Sequence, residues 1–309
     1  QQDHSQLIIN QQLSEVWLLS FTGHYTYGRG YFETYKQDAD MSEYNMAPVQ
    51  IGDSTITSTD LIRRKWLDNH FYGGVTSLQY RKAKIQLTFG AALNRYVGDH
   101  FGRVIWSRYA GNTNIRHTYY NNQGVKDDFS TYVKMSYYLS KNLIAYGDLQ
   151  FRTIKYTIRG SEEEGILDLQ DNFEFINPKA GLRYSINDRN SFYASYAVAN
   201  REPKRSDYVD NLGTLPKHER LDDIEIGHQF YSSILAMNTN FYYMNYTNQL
   251  VLTGALNDVG TPIRENVGSS FRMGIEWSAQ FKYGKHIEVQ PNVTYSVNQN
   301  VDYKTELNN

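Results

Sequence analysis

From Phe271 to Tyr283 every second residue is apolar. Phe271, Met273, Ile275, Trp277, Ala279, Phe281 and Tyr283 alternate with Arg272, Gly274, Glu276, Ser278, Gln280 and Lys282. Only an extended strand turns a period of two into one apolar and one polar face. The pattern recurs in Ile287, Val289, Val293, Tyr295 and Val297, set against Glu288, Gln290, Asn292, Thr294, Ser296 and Asn298. It recurs again in Val133, Met135 and Tyr137, set against Ser130, Lys134 and Ser136. Segments 85–94, 143–152, 179–186, 192–198, 224–230 and 235–243 alternate too, and 5–12 and 15–33 do so more weakly. The chain therefore reads as all-β, with about 12 strands.

The connections alternate in length. Short polar turns are expected at 81–84, 139–142, 187–190, 231–233 and 283–286, and near 13–15. Long connections fall between them at about 34–64, 99–126, 159–172, 200–219 and 248–264. Tight turns at one end and long loops at the other are the signature of a transmembrane antiparallel up-and-down barrel, with short periplasmic turns and longer extracellular loops. A soluble β-sandwich also alternates, but its strands run nearer five or six residues and its connections keep no such parity. Several strands here exceed the 9–11 residues that cross a bilayer, so the wall should rise above the membrane. Pro178 and Pro291 fall near or inside strands, where a missing ladder donor runs against the assignment.

Composition narrows the class further. The 27 tyrosines and the 15% aromatic content suit bilayer interfaces, where an amphipathic ring sits well. No apolar run approaches the roughly 20 residues of a spanning helix. The absence of cysteine excludes disulfides and zinc-thiolate sites. A net charge of −2 gives no electrostatic reason for a nucleic-acid partner. Gln1 opens directly in polar sequence, so any targeting segment is expected upstream or removed.

Catalytic chemistry finds little footing. Ser195 and Ser206 lack a nucleophile-elbow context. The adjacent pairs Asp127-Asp128 and Asp222-Asp223 point to opposite faces of a strand and form no dyad. No enzyme activity and no cofactor are expected. Binding is expected in the long loops. The ligand-binding candidates are His100, Arg103, Trp106, Arg108, Tyr109, His117, Tyr119 and Tyr120, all in the 99–126 connection. Aromatic faces beside guanidinium groups can stack on a catecholate or sugar and pair with an anion; an ordinary loop packed by its own aromatics gives the same composition. The spacing of His100 and His117 matches no metal motif, so no metal site is expected. Glu162-Glu163-Glu164 reads by default as a solvated loop tip, with divalent cations, including those bridging lipopolysaccharide, as the alternative. Arg201 and Glu202 lie where a strand meets its loop. They either contact cargo or a plug, or hold the loop base as a local ion pair. Lys134, Asp148, Arg152, Arg183, Glu225, Arg272, Glu276 and Lys282 are expected to face the lumen with mixed sign, pairing with each other or with a plug.

Several longer stretches carry a family likeness. They are Asp60 to Asn69 leading into Phe71-Tyr72-Gly73, Asn177 to Tyr184, Tyr193 to Pro203 with Arg205-Ser206-Asp207-Tyr208, Glu219 to Gly227, and Tyr242 to Gly254 followed by Asn266-Val267-Gly268. Over about residues 60–300 the sequence resembles the barrel of TonB-dependent outer-membrane receptors, in particular the Bacteroidetes type. The resemblance implies an active importer in the bacterial outer membrane, with about 22 strands and a plugged lumen. It implies an N-terminal plug, a short box that engages the TonB energy-transducing complex, and contact with the lipid bilayer and lipopolysaccharide. The implied cargo is a ferric siderophore or related iron complex, haem, cobalamin or a glycan. Neither plug nor box is legible in residues 1–309, and Asn309 falls inside an expected outer loop. The chain is thus expected to be a barrel fragment, the middle and later part, lacking its plug, its early strands and about two final strands. An open 12-stranded sheet would leave two unpaired edges, untenable in lipid. The alternatives are a small closed passive channel and a soluble β-rich binding module.

Overall fold

The computed structural model describes residues 1–114, 116–163, 165–210, 215–257 and 260–301. Two strands lead, β1 (Gln2–Gln12) and β2 (Trp17–Asp40). A 3-10 turn at Met41–Tyr44 and a small hairpin of β3 (Val49–Ile51) and β4 (Ser54–Ile56) follow. Then come β5 (Ser58–Lys82), β6 (Ile85–Ser107), β7 (Thr118–Tyr138), β8 (Leu143–Glu162), β9 (Gly165–Asn187) and β10 (Asn190–Arg201). A five-residue helix α1 (Arg205–Val209) precedes β11 (Glu219–Tyr231), β12 (Leu235–Leu256), β13 (Pro262–Tyr283), β14 (Ile287–Val289) and β15 (Asn292–Asn300). All but β3 and β4 form one meandering antiparallel sheet of 13 strands. β14 and β15 both pair with β13, so they form one interrupted path and 12 strand widths cross the sheet. No described strand pairs with the outer side of β1 or of β14 and β15.

The register converts the sequence alternation into continuous faces. Ala194, Ile226, Phe241, Ile275 and Tyr295 stand opposite one another across five strands. Phe89, Val133 and Leu149 do the same across β6, β7 and β8. Most of these apolar side chains are exposed, Ile226 by 54%, Phe241 by 55% and Leu149 by 49%, and Val133 and Ile275 are part-exposed. So extended an apolar surface is what lipid requires and water penalises, which rules out the soluble-module alternative. Aromatic pairs mark the edges of the belt. Trp17 packs on Tyr80 at 4.7 Å near the short turns. Tyr25 and Tyr72 are register neighbours further out. Eight residues at ~3.4 Å each, tilted by ~45°, separate Trp17 from Tyr25 by ~19 Å of height, close to the apolar band of a transmembrane barrel. Among the described residues no helix is long and apolar enough to span a membrane.

The opposite face is polar and concave. The register gathers Lys134, Asp148, Arg152, Arg183, Glu225, Arg272 and Glu276 there, as expected from their alternation. On this face Tyr132 covers Gly90, Tyr146 covers Gly181, Tyr193 covers Gly227 and Tyr242 covers Gly274, each across one register pair. A methyl at any of these glycines would overlap the ring. The Tyr193 hydroxyl passes over Gly227 to donate to Asn240 Oδ1 on the next strand at 2.9 Å. The high tyrosine content thus serves the lumen wall as well as the bilayer edge.

The two prolines are accommodated. The β9–β10 ladder stops at Lys179 and Ala197, just before Pro178, and the Asn177 side chain accepts the Asn200 N–H at 3.0 Å. Pro291 lies at the break between β14 and β15 and still accepts a hydrogen bond from the Ala279 N–H at 3.0 Å.

The outer connections are shorter than expected. β5 runs 25 residues and β6 runs 23, far more than a bilayer needs. The expected loop 34–64 shrinks to 41–57, the loop 99–126 to 108–117, and the loop 200–219 to 202–218. β8 ends at Glu162 and β9 begins at Gly165, in place of a loop over 159–172. β12 likewise continues to Leu256, and β13 starts at Pro262. Above the bilayer both faces of a strand are wet, so the ladder continues while the apolar alternation that reveals it fades. Two connections fold inward. Met41, Tyr44 and Met46 bury themselves against Leu61, Val104, Tyr119 and Tyr120. Tyr208 of α1 packs on Tyr156, Ile158 and Leu167, and its hydroxyl donates to Asp171 at 2.8 Å.

Candidate functional site

These inward folds enclose a cavity of about 720 Å³ in the outer half of the lumen. Lys65, Trp66, His100, Tyr120 and Glu162 line it from the strands β5 to β8, Glu163 from the turn that follows, Arg205 enters from α1, and Leu256, Asn257 and Ile263 complete the lining. A second hollow of about 410 Å³ adjoins it and shares His100 and Arg205. The combined space suits a small-molecule ligand. A polar hollow of about 900 Å³ lies at the short-turn end around Arg183 and Gln229. A fourth hollow lies against Phe21, Leu93 and Phe129 on the outward, lipid-facing side.

Carboxylates hold the cavity's cations. Arg63 Nη1 and Lys65 Nζ each donate to Glu163 at 2.7 Å, and the Tyr119 hydroxyl donates to the same carboxylate at 3.0 Å. Arg205 Nη2 donates to Glu162 Oε2 at 2.6 Å and to Asn122 Oδ1 at 2.8 Å. Asn122 in turn donates to Glu162 at 2.9 Å. Burial, reinforced by these carboxylates, raises the hydroxyl pKa of Tyr119 and Tyr120, which therefore stay protonated donors. Glu162 and Glu163 are thus not at a solvated tip: their side chains are only 10% and 21% exposed. Gly160 at φ 129° and Gly165 at φ 143° adopt backbone that L side chains rarely take, on either side of this turn. Glu164 lies outside the described residues.

The sequence-derived candidates separate. His100, Arg103 and Trp106 lie on β6, and Tyr119 and Tyr120 on β7, not in a loop, because the ladder continues above the belt. A register shift at Gly102 turns both Tyr119 and Tyr120 inward. His100 and Tyr120 line the cavity, and Tyr119 supports Glu163 from beneath. Arg103 and Trp106 face outward, opposite Arg64 and Ile62. Arg108 pairs with Asp60 at 3.7 Å and lies over the Tyr109 ring, at the rim. His117 Nε2 bonds the Tyr44 carbonyl oxygen at 3.0 Å and fastens the 41–57 connection. Arg201 pairs with Glu219 at 2.7 Å across the base of the 202–218 connection. Glu202 turns away from it, to Lys126 and to Arg152, whose Nη1 lies at 2.9 Å. Among the described residues no group of three His, Asp or Glu side chains is placed to hold a metal. Arg63, Lys65, Asn122 and Arg205 were not singled out from the sequence. Arg63 and Lys65 share the lumen parity of β5, a legible signal; Arg205 reaches the site only because α1 folds back.

The family model for "TonB dependent receptor-like, beta-barrel" matches residues 2–309. The chain belongs to the TonB-dependent receptors. Solved structures of the same fold include the copper transporter OprC, with a TM-score of 0.73 at 13% identity, covering 97% of this chain and 46% of that one. They include the siderophore receptor PiuA from Acinetobacter baumannii, with a TM-score of 0.69 at 11% identity, covering 99% and 48%. They also include the ferric-catecholate import receptor Fiu from E. coli K12, with a TM-score of 0.64 at 15% identity, covering 96% and 47%. This chain therefore spans about half the length of the structures it matches. No curated protein sequence matches it. The receptor barrel is an outer-membrane wall, and its family consists of receptors and not of enzymes.

The receptor's His100 should report on its own burial. Its Nε2 is buried without a hydrogen-bond partner among the described residues. Burial, with the nearby Arg205 charge adding to it, pushes its pKa down to about 3. The unfolded chain, with a histidine pKa near ~6.5, takes up the proton first as pH falls, so folding loses stability from ~6.5 downward toward 3. His100→Gln titrates nothing there. Its unfolding temperature should fall less steeply than wild type between pH 6.5 and 4, and parallel slopes would show that His100 is not held neutral.

Proposed function

We propose that this receptor is the wall of an active importer for a ferric siderophore or related iron complex, driven by TonB through a plug domain. The observation that carries the reading is the outer-lumen cavity. Its cations are held by carboxylates that an anionic cargo can replace, and buried tyrosine hydroxyls stand beside them. Inward-folded connections above the cavity favour a gated path over an open channel. The printed names of several structural neighbours, siderophore and ferric-catecholate receptors among them, support the cargo class, and the copper transporter keeps other metal complexes in the comparison. The open edges at β1 and at β14 and β15 are closed by further strands of the same protein, which also supplies the plug. Growth of a deletion strain on single iron sources, haem, cobalamin and glycans tests this. Loss of growth on one ferric siderophore, restored by the gene, is expected; growth unchanged on every source overturns it.

A further inference from the structure

The turn that joins β8 to β9 leaves its neighbouring strand and bends into the outer-lumen cavity. The β7–β8 ladder ends at the pair Asn122 and Gly160, although β8 runs on to Glu162. Beyond that pair side chains hold the turn to β7. The Asn121 N–H donates to Ser161 Oγ at 2.9 Å, and Asn122 Nδ2 donates to the Ser161 carbonyl oxygen at 2.9 Å. A Cβ at Gly160 would overlap the Asn121 carbonyl oxygen, and Gly160 and Gly165 both keep positive φ, so the inward bend runs between two glycines. Charges at the tip supply the rest of the hold. Glu163 reaches Arg63 and Lys65 on β5, and Glu162 reaches Arg205 on α1. The Arg63 side chain is only 3% exposed. Glu162 and Glu163 line the cavity together with Lys65 and Arg205. The two carboxylates therefore stand where the anionic groups of a ligand would meet these cations.

We infer that Glu162 and Glu163 set a charge threshold for this receptor: the cavity admits a complex that carries two or more anionic groups and rejects a neutral one. The inference rests on the importer reading and narrows the class of complex carried. A ligand anion gains Lys65 and Arg63 by displacing Glu163, and gains Arg205 by displacing Glu162. The two carboxylates are adjacent on one turn, so neither moves far while the other stays bound. A single anionic group therefore replaces half of the hold, and two replace all of it. The displaced carboxylates recover their hydration as the turn swings outward. A neutral complex offers nothing in exchange, and stripping the carboxylate from a cation as buried as Arg63 carries a desolvation penalty. Discrimination thus comes from rejecting the uncharged ligand as much as from attracting the charged one.

Calorimetric binding to the complete receptor provides the test, with trianionic ferric tris-catecholate, a neutral ferric trihydroxamate and metal-free citrate as probes. Wild type should bind the trianionic complex at least about tenfold more tightly than the neutral one. Glu162→Gln with Glu163→Gln removes the competing anions and keeps the shape of the turn. Tris-catecholate and citrate should each bind this variant about tenfold more tightly than wild type, and the neutral complex should gain less than about twofold. Carboxylates that merely contacted the ligand would give the opposite sign. Should the double variant fail to fold, Glu162→Gln, which leaves the Glu163 pairs intact, carries the same expectation at about threefold. Amide exchange on wild type gives a second measurement. Tris-catecholate should speed exchange at Ser161 and Glu162, where a ligand that left the turn in place would slow it. Unchanged or weaker anion binding by the variants, or slower exchange in wild type, overturns the inference. If neither ferric complex binds while citrate still binds the variant more tightly, the iron-cargo reading fails and the charge threshold stands.

Discussion

Ile226→Arg in the complete receptor is expected to cost about 2–4 kcal/mol of folding into a bilayer, the range for a cation at the midplane of a barrel's lipid face. Ile226 stands on β11 between Ala194 and Phe241, inside the belt bounded by Tyr80 and Tyr72 on the earlier strands, and is 54% exposed to what must be acyl chains. An arginine there loses its hydration, and no carboxylate is near on that face. Its sequence neighbour Glu225 points the other way, into the lumen opposite Ser195 and Tyr242. Glu225→Gln should therefore cost less than about 1 kcal/mol, although it alters the adjacent residue. Reversible urea unfolding from phospholipid vesicles measures both. Equal costs for the two would mean that the face assignment is wrong.

That contrast depends on alternation, and alternation was legible wherever one face met lipid. Phe271–Tyr283 reads as a strand because every outward position is apolar and every inward one polar. The same β13 begins at Pro262, yet Arg264, Glu265 and Asn266 give no period at all. Nothing apolar is demanded of either face above the bilayer, so the sequence there resembles a loop while the backbone still forms a ladder. The binding candidates suffered from the same effect. His100, Arg103, Trp106, Tyr119 and Tyr120 were read as loop residues, and their faces could not be assigned until the strands were extended through them. Once extended, β6 parity alone separates inward His100 from outward Arg103. The register shift at Gly102, which turns both tyrosines inward, has no such local signal. Glu162 and Glu163 appeared to be a solvated run because acidic runs usually are. Their burial depends on the turn geometry and on Arg205, 43 residues away from Glu162 in sequence. A contact of that separation leaves no periodic trace.

Mixed charge inside the lumen was expected to be satisfied by pairing, and Arg152 is where that expectation can be tested. Its Nε and Nη2 donate to Asp128 at 3.1 Å and 2.5 Å, and its Nη1 and Nη2 donate to Glu202 at 2.9 Å and 3.0 Å. The three side chains are 22%, 19% and 12% exposed, so water screens them weakly. Lys126 also pairs with Glu202. Arg152→Leu removes the only ion-pair partner of Asp128 among the described residues. It leaves a half-buried carboxylate uncompensated, at an expected cost of about 3–5 kcal/mol. Arg152→Lys keeps the charge but loses the fork that spans two carboxylates, and should fall between the two. Arg152→Leu with Asp128→Leu removes both the cation and its stranded partner and should recover much of the loss, since a buried pair replaced by apolar groups is often close to neutral. Glu202 sits at the start of the connection that carries α1 into the cavity. The single Arg152→Leu variant should therefore also raise amide hydrogen exchange at Tyr208 and Asp207. A cost below about 1 kcal/mol, with no change in exchange, would place these charges in the solvent-screened class of surface pairs. It would remove the argument that the lumen wall holds the inward fold in place.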